Sequence, residues 1–225
     1  MCGRYVTASS PALLAERFRV EEVRVTRTEP DYNVTPRAEV PVVAVSRGTR
    51  VLDVVRWGRV PSWANDVKIG DRQINARAAT VATKPAFRRA FERRRCIVPA
   101  DGFYEWQAVG GTKRKQPWFI HRRDGEPLAF AGLWERRGDL RTFAIITTEP
   151  NGVLAPIHDR MPVVLPEHVW DRWLDPDFRD TSALQSLLVP LPDEELEAWP
   201  VSTLVNAPAN NSPDLVARVE VASTT

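Results

Sequence analysis

A chain of 225 residues with 43% hydrophobic content can bury a sizeable core, as one large domain or two small ones. Its two cysteines and three scattered histidines exclude a disulfide scaffold and a metal-ligand cluster, so neither metal nor cofactor is expected. The net charge of +2 is nearly neutral, and there is no signal-peptide core and no run of the ~20 apolar residues that a membrane span needs, which predicts a cytoplasmic protein with no membrane partner.

The chain opens Met1-Cys2-Gly3-Arg4-Tyr5. Aminopeptidases remove an initiator methionine when the next side chain is small, and Cys2 qualifies. The product carries a free amine and a free thiol on adjacent carbons. Such a 1,2-aminothiol condenses with aldehydes, first to an imine and then to a thiazolidine. An α-amino group titrates near ~7.7–8.0 and a cysteine near ~8.5, so both nucleophiles are partly unprotonated at neutral pH. A second residue without chemical role is the plain alternative.

Ser9 or Ser10 is placed to cap a helix that starts at Pro11 and carries Leu13, Leu14 and Phe18. Residues 40–45 and 51–57 are β-rich runs joined at Arg47-Gly48, which predicts a hairpin. Thr83 is placed to cap a helix over 85–94, with Phe87 and Phe91 on one face and Arg88, Arg89 and Arg93 on the other. Strands are predicted at 96–98, 103–107, 117–121, 128–134 and 142–148, short helices at 167–174 and 182–188, and a last strand at 199–204. Strands outnumber helices and short turns join them. That pattern predicts an α+β fold: an antiparallel-rich, curled or barrel-like β-sheet with flanking helices, in a single domain over residues 1–225. The Pro- and Asn-rich tail after about residue 207 is expected to be partly loose.

Charge is unevenly spread. Residues 56–95 hold eleven Lys and Arg against three Asp and Glu, whereas residues 166–200 hold nine acidic residues against two arginines. A basic block in a near-neutral chain is the footprint of a polyanion-binding face, although a solvated surface explains any single arginine as well. The acidic stretch fits solvent-facing helix.

Several polar residues sit among structure-making ones. In Ile74-Asn75-Ala76-Arg77 an amide and a guanidinium two apart share one face of an extended segment. Asn75 suits an oxygen or an ammonium and Arg77 a phosphate, while a loop cap and a surface arginine remain open. Glu105 lies among aromatic neighbours in Phe103-Tyr104-Glu105-Trp106, where burial would raise its pKa and suit it to acid/base work. A glutamate pointing out of the sheet is the alternative, with Trp106 on the opposite side as core or stacking plate. His158, in Ile157-His158-Asp159-Arg160-Met161-Pro162, is placed to protonate a leaving oxygen near neutral pH. His121 and His168 fit structural positions. Of Trp57 and Trp63, flanking Gly58 and Pro61, Trp57 suits a core and Trp63 an exposed plate for a base.

Together, Met1-Cys2-Gly3-Arg4, Tyr32-Asn33-Val34-Thr35-Pro36, RWGRVPSWA from Arg56, INARAAT from Ile74, CIVPADGFYEW from Cys96 and IHDRMPVVL from Ile157 resemble the SRAP (SOS-response-associated peptidase) family, with a weaker echo at residues 201–206. The resemblance implies the SRAP fold and a monomer that binds single-stranded DNA containing abasic sites. It also implies a thiazolidine between the N-terminal cysteine and the open-ring sugar aldehyde, which shields the strand from cleavage. Carried over, it makes Cys2 the nucleophile, Asn75 the residue that orients the amine, Glu105 the acid/base and His158 the proton donor that opens the sugar ring. Arg4, Pro36, Trp63, Arg77, Trp106, Thr147 and Arg160 would line the DNA path. Autoprocessing at Met1, a lyase activity and association with the nucleoid belong to the same implication.

Three rivals stay open. Amidotransferases with an N-terminal nucleophile also begin Met-Cys-Gly, but they usually continue with an apolar residue where this chain has Arg4. A protease acting on other proteins would use the cysteine and a histidine. A pure DNA-binding module would keep the arginines and tryptophans and tolerate loss of Cys2.

Overall fold

The computed structural model describes residues 2–25, 29–110 and 112–220, so the expected removal of Met1 lies outside them. In chain order the elements are β1 (Tyr5–Thr7), α1 (Pro11–Arg17), β2 (Glu22–Val23), β3 (Asp31–Val34), β4 (Glu39–Ser46), β5 (Thr49–Trp57), β6 (Asn75–Arg77) and α2 (Arg88–Arg93). They continue with β7 (Arg95–Ala100), β8 (Gly102–Ala108), β9 (Lys115–Arg122), β10 (Leu128–Arg137), β11 (Leu140–Thr148), β12 (Met161–Pro162), α3 (Trp170–Leu174), α4 (Thr181–Gln185) and β13 (Leu196–Pro200).

The barrel-like sheet predicted from strand count is present and closes. Strands β11, β10, β7, β4 and β5 pair in that order, and β5 then pairs in parallel with β11 through Arg56–Thr142 and Trp57–Phe143. Closure leaves these five strands without an open edge between them. A second sheet runs β13-β9-β8-β1-β3.

Period-2 alternation then sorts the side chains into layers. One parity of the closed sheet (Val42, Val55, Trp57, Cys96, Val98, Phe130, Phe143) packs with Tyr5, Phe103, Ile120 and Leu196 of the second sheet. The other parity (Val43, Leu52, Ile97, Ala131, Ile146) lies under the helices, against Leu14, Phe18, Phe91, Trp170 and Trp173. The outer face of the second sheet, Val6, Tyr104 and Phe119, is covered by Val201, Val205 and Leu215.

Local chemistry explains the elements. Ser10 caps α1, its hydroxyl accepting from the Leu13 amide at 3.2 Å, with Pro11 in the first turn. The β4–β5 hairpin turns on Arg47 (φ 53°) and Gly48 (φ 83°), the two positive φ values of a tight type I′ turn. Helix α2 is shorter than the predicted 85–94, because Thr83 turns back to bond the Thr80 carbonyl and caps nothing. The last strand ends earlier than predicted, at Pro200. Ser202 then caps a 3-10 turn, Thr203–Asn206, that the β-branched composition of 199–204 conceals. Composition suggested a loose tail after about residue 207. To Glu220 the chain is instead held down, with Leu215 buried, Val201 bridged to Arg218, and the Trp199 indole donating to the Val216 carbonyl at 2.9 Å. No helix among the described residues is long and apolar enough to cross a membrane.

Candidate active site at the N-terminal cysteine

Strand β6 pairs in parallel with β11, Asn75 level with Ile145 and Arg77 with Thr147. Ala76 faces the core, so Asn75 and Arg77 share the opposite face, as the extended reading of the sequence required. The Asn75 amide donates to the Cys2 carbonyl at 2.8 Å, while its own side-chain oxygen is buried and has no hydrogen-bond donor among the described residues. Cys2 is fully buried. Burial drives its thiol well above the ordinary range, the nearby Glu105 carboxylate adds to the rise, and the Arg4 amide opposes it.

Glu105 sits on β8 with Phe103 and Gln107 on the face toward Cys2, while Trp106 takes the other face. At 2% exposure Glu105 does not point out of the sheet. Burial raises its carboxyl to about 7, and the Asp159 carboxylate adds to the effect. His158 Nε2 stands 3.6 Å from Glu105 Oε2. The Arg160 amide donates to His158 Nδ1 at 3.1 Å and the Asp159 carboxylate lies 3.0 Å from the same nitrogen, which leaves Nε2 turned toward Glu105. Burial holds the His158 pKa below its ordinary value.

The His158 loop is fastened at three points. Asn151 accepts from the Leu154 amide and donates to the Leu191 carbonyl, the His158 amide donates to the Leu154 carbonyl, and the Gln107 amide donates to the Pro156 carbonyl at 2.9 Å. Gln107 is itself oriented by the Trp118 indole, which donates to its oxygen at 3.1 Å.

The expected DNA-path residues divide into two groups. Trp63 is 70% exposed on the loop between β5 and β6. The base of that loop is a backbone crossing at which a Cβ on Gly70 would come within 2.4 Å of the Gly58 carbonyl, so only glycine fits. Pro36 lies beside it, because the next residue, Arg37, pairs with Asp71 of the same loop at 2.8 Å. Arg77 is exposed and Arg160 partly so, close enough for each charge to bear on the other. Arg4, Trp106 and Thr147 are placed otherwise. Arg4 donates to the Asn33 side chain and the Val205 carbonyl, both at 2.7 Å, and lies 5.8 Å over the Trp106 ring. Trp106 donates in turn to Asn206 at 2.7 Å. These two residues tie the start of the chain to its last quarter. Thr147 is fully buried and lines no solvent path; its carbonyl accepts from Arg160 at 2.5 Å and so aims that guanidinium.

The basic block divides too. Arg59 is buried against Glu135 at 2.8 Å, Arg94 pairs with the same carboxylate, and Arg95 is buried and donates to the Trp173, Phe91, Glu92, Asp175 and Phe178 carbonyls. Lys68, Arg72, Arg77, Lys84, Arg88, Arg89 and Arg93 remain exposed. Sequence reasoning missed Asn33 and Gln107 as site supports. Asn33 lay within a conspicuous run, Tyr32-Asn33-Val34-Thr35-Pro36; Gln107 carried no signal beyond standing two residues after Glu105. Among the described residues no three His, Cys, Asp or Glu side chains gather to hold a metal.

Comparison with known proteins places this geometry. The SOS response associated peptidase (SRAP) family model matches residues 1–208. Abasic site processing protein YoqW of Bacillus subtilis is 41% identical over 222 residues, covering 96% of this chain and 99% of that protein. Abasic site processing protein HMCES of Rattus norvegicus is 32% identical over 234 residues, covering 85% of this chain and 66% of that protein. A crystal structure of a protein from Bacteroides thetaiotaomicron superposes with a TM-score of 0.86 at 28% identity, covering 97% of this chain and 100% of that one.

Proposed function

This chain belongs to the SRAP family, and from that premise we propose that it senses abasic sites in single-stranded DNA by bonding covalently to them through Cys2. The observation that carries the reading is the convergence of four groups. The Asn75 amide holds the Cys2 backbone at 2.8 Å, the Glu105 charge acts on the Cys2 thiol, and His158 faces Glu105 at 3.6 Å. Relatives named abasic site processing proteins supply the substrate class.

The reaction begins once Met1 is removed by autoprocessing, which frees the Cys2 amine. An abasic sugar is mostly a closed hemiacetal. Protonated His158 gives its Nε2 proton to the ring oxygen while the Glu105 carboxylate takes the proton of the hemiacetal hydroxyl, so that the ring opens to the aldehyde, and the proton then passes from Glu105 back to His158. Glu105 takes a proton from the amine, which attacks the aldehyde carbon. The carbinolamine then loses one water as Glu105 returns the proton to the departing hydroxyl, and the iminium gives its N–H proton back to the carboxylate to leave the imine. Addition of the thiol S–H across C=N places sulfur on carbon and hydrogen on nitrogen, closing the thiazolidine. Without the imine, the β-elimination that breaks the strand has no electron sink; any lyase activity would be what escapes this closure. Asn75 keeps the amine and the carbonyl of Cys2 in register with the two acid/base groups.

Arg77 and Arg160 hold phosphates near the lesion, and the exposed Trp63 stacks on an unpaired base, which favours single strands over duplex. The protein works as a monomer in the cytoplasm, on the nucleoid when bound. The test is denaturing electrophoresis with a single-stranded oligonucleotide carrying one abasic site, an intact control strand and a Cys2→Ala variant, after mass spectrometry has established that Met1 is absent. A heat-resistant shifted band restricted to wild type and the abasic strand supports the proposal. Its absence sinks the proposal and directs attention to glutamine or peptide hydrolysis.

A further inference from the structure

The closed sheet has a second end. Strands β5 and β11 run parallel, and both start at the end opposite Asn75. From Arg141, near the start of β11, to Ile145, level with Asn75, four steps of strand amount to about 13 Å. At that far end lies a cavity of about 620 Å³, within the range of small-molecule sites.

Its composition is lopsided. Five arginines line it, Arg24, Arg47, Arg93, Arg136 and Arg141, against the single carboxylate of Asp53. Asp53 pairs with Arg141 and, at 3.5 Å, with Arg24, whose other face is held by Glu22. Those two guanidiniums are therefore fixed in place. Among the described residues Arg47 and Arg93 have no acidic partner, and Arg136, whose Nε donates to the Gly138 carbonyl at 2.7 Å, has no acidic neighbour but the fully exposed Asp139, at 3.8 Å. Beneath this rim the walls are apolar, with Val42, Ala44 and Val55 alternating along β4 and β5 and the half-buried Trp134 contributed by β10.

Uncompensated positive charge over a low-dielectric floor focuses potential on the opening and draws anions to it. A bare anion needs no ring-sized apolar floor, and an apolar ligand needs no arginines. We propose that this cavity binds a nucleoside monophosphate, its phosphate on the Arg47 and Arg136 rim and its ring against Trp134. The phosphate gains charge-assisted, forked hydrogen bonds of the kind arginine gives, and the flat ring gains contact with the indole. Two sources present that chemistry, a free mononucleotide and the 5′-terminal nucleotide of a DNA strand. The site does not depend on the crosslinking chemistry at the other end.

The test follows the tryptophan indole N–H signals of the 15N-labelled full chain, with Trp134 and Trp63 identified through Trp134→Phe and Trp63→Phe. Thymidine 5′-monophosphate is expected to shift Trp134 while leaving Trp63 in place, with thymidine and inorganic phosphate far weaker. The double variant R47E/R136E, one change at the exposed β4–β5 turn and one at an exposed position near the end of β10, is expected to bind about tenfold more weakly with its Trp134 signal still dispersed. A second arm compares intact oligonucleotides with a 5′-phosphate and a 5′-hydroxyl. A Trp134 shift specific to the 5′-phosphate supports the site with a strand end as occupant; equal behaviour of the two, with the mononucleotide still binding, supports it with a free nucleotide. The proposal is overturned if the mononucleotide leaves Trp134 unmoved, moves Trp63 instead, or binds R47E/R136E as it binds wild type.

Discussion

His158 and Glu105 face one another across the gap between β8 and the loop that precedes β12, Nε2 to Oε2 at 3.6 Å. The imidazole turns Nε2 toward a carboxyl that burial raises to about 7. In the proposed reaction a carboxyl poised near neutrality both takes and returns a proton at little cost, which is where general acid/base catalysis is most effective.

Glu105 should govern the pH dependence of crosslinking. If it takes the amine's proton it must be ionised, so the initial rate should rise through about pH 7. Glu105→Gln should flatten that rise and slow the reaction on the order of 100-fold. Time courses from pH 5.5 to 8.5, quenched and read on denaturing gels, check this. A Glu105→Gln profile that still climbs through 7 would assign the titration to another group.

The same carboxyl has a consequence for stability. Its folded pKa, about 7, lies above the ordinary 4.5, so between those values the folded state binds more protons than the unfolded one. Stability is thus complete below about 4.5 and lost as pH rises to about 7, a loss of about 3 kcal/mol by linkage. Glu105→Gln, which cannot ionise, should unfold later than wild type in urea at pH 8 and close to it at pH 4.

The residues that the fold gathers around Cys2 stood out in the sequence more than the architecture that gathers them. Cys2, Glu105 and His158 stood out because each breaks its local pattern: a cysteine at the second position, a carboxylate among aromatic residues, a histidine in a polar turn before proline. The β4–β5 hairpin and the α1 cap were legible because both are decided within a few residues. Strands of two to four residues, such as β1, β2, β3 and β12, carry no period of their own and form only because the sheets recruit them. The basic block misled at Arg59, Arg94 and Arg95, since charge composition does not distinguish an arginine that meets solvent from one that binds buried carbonyls or Glu135.

Glu135 should matter for folding alone. It is buried between Arg59 and Arg94, and burial has already lowered the Arg59 pKa to about 10. Removing the carboxylate leaves Arg59 buried and unpaired, a loss of about 3–5 kcal/mol. Urea unfolding of Glu135→Ala should show that drop, while the crosslinking rate of the folded protein stays within twofold of wild type. A cost below 1 kcal/mol would mean that water reaches Arg59.

Salt dependence separates the arginines that meet DNA from those that hold the fold. Neutralising phosphates on a single strand gives a slope of log affinity against log salt of about −0.7 per contact. Arg77 is exposed on the same strand face as Asn75 and the half-exposed Arg160 is held on Thr147, level with Arg77, so Arg77→Ala and Arg160→Ala should each make the slope shallower by about one contact, titrated on an intact strand to exclude covalent capture. Arg4→Ala should leave the slope unchanged, because its guanidinium is spent on Asn33 and Val205.

Gln107 should act through His158. Its amide holds the Pro156 carbonyl at 2.9 Å and so sets the loop that carries the imidazole, while the Trp118 indole fixes its orientation. Gln107→Glu keeps the size and the bond from Trp118 but replaces the donor to Pro156 with an acceptor, leaving two oxygens opposed. The loop should move away from β8, the burial that lowers the His158 pKa should relax, and that pKa should climb toward its ordinary value. Crosslinking should slow about tenfold, a modest misplacement of one acid/base group, with affinity for an intact single strand unchanged. Histidine titration by NMR on wild type and Gln107→Glu reads the first effect and gel time courses the second. A slower reaction with an unmoved His158 pKa would place Gln107 outside the positioning of the histidine.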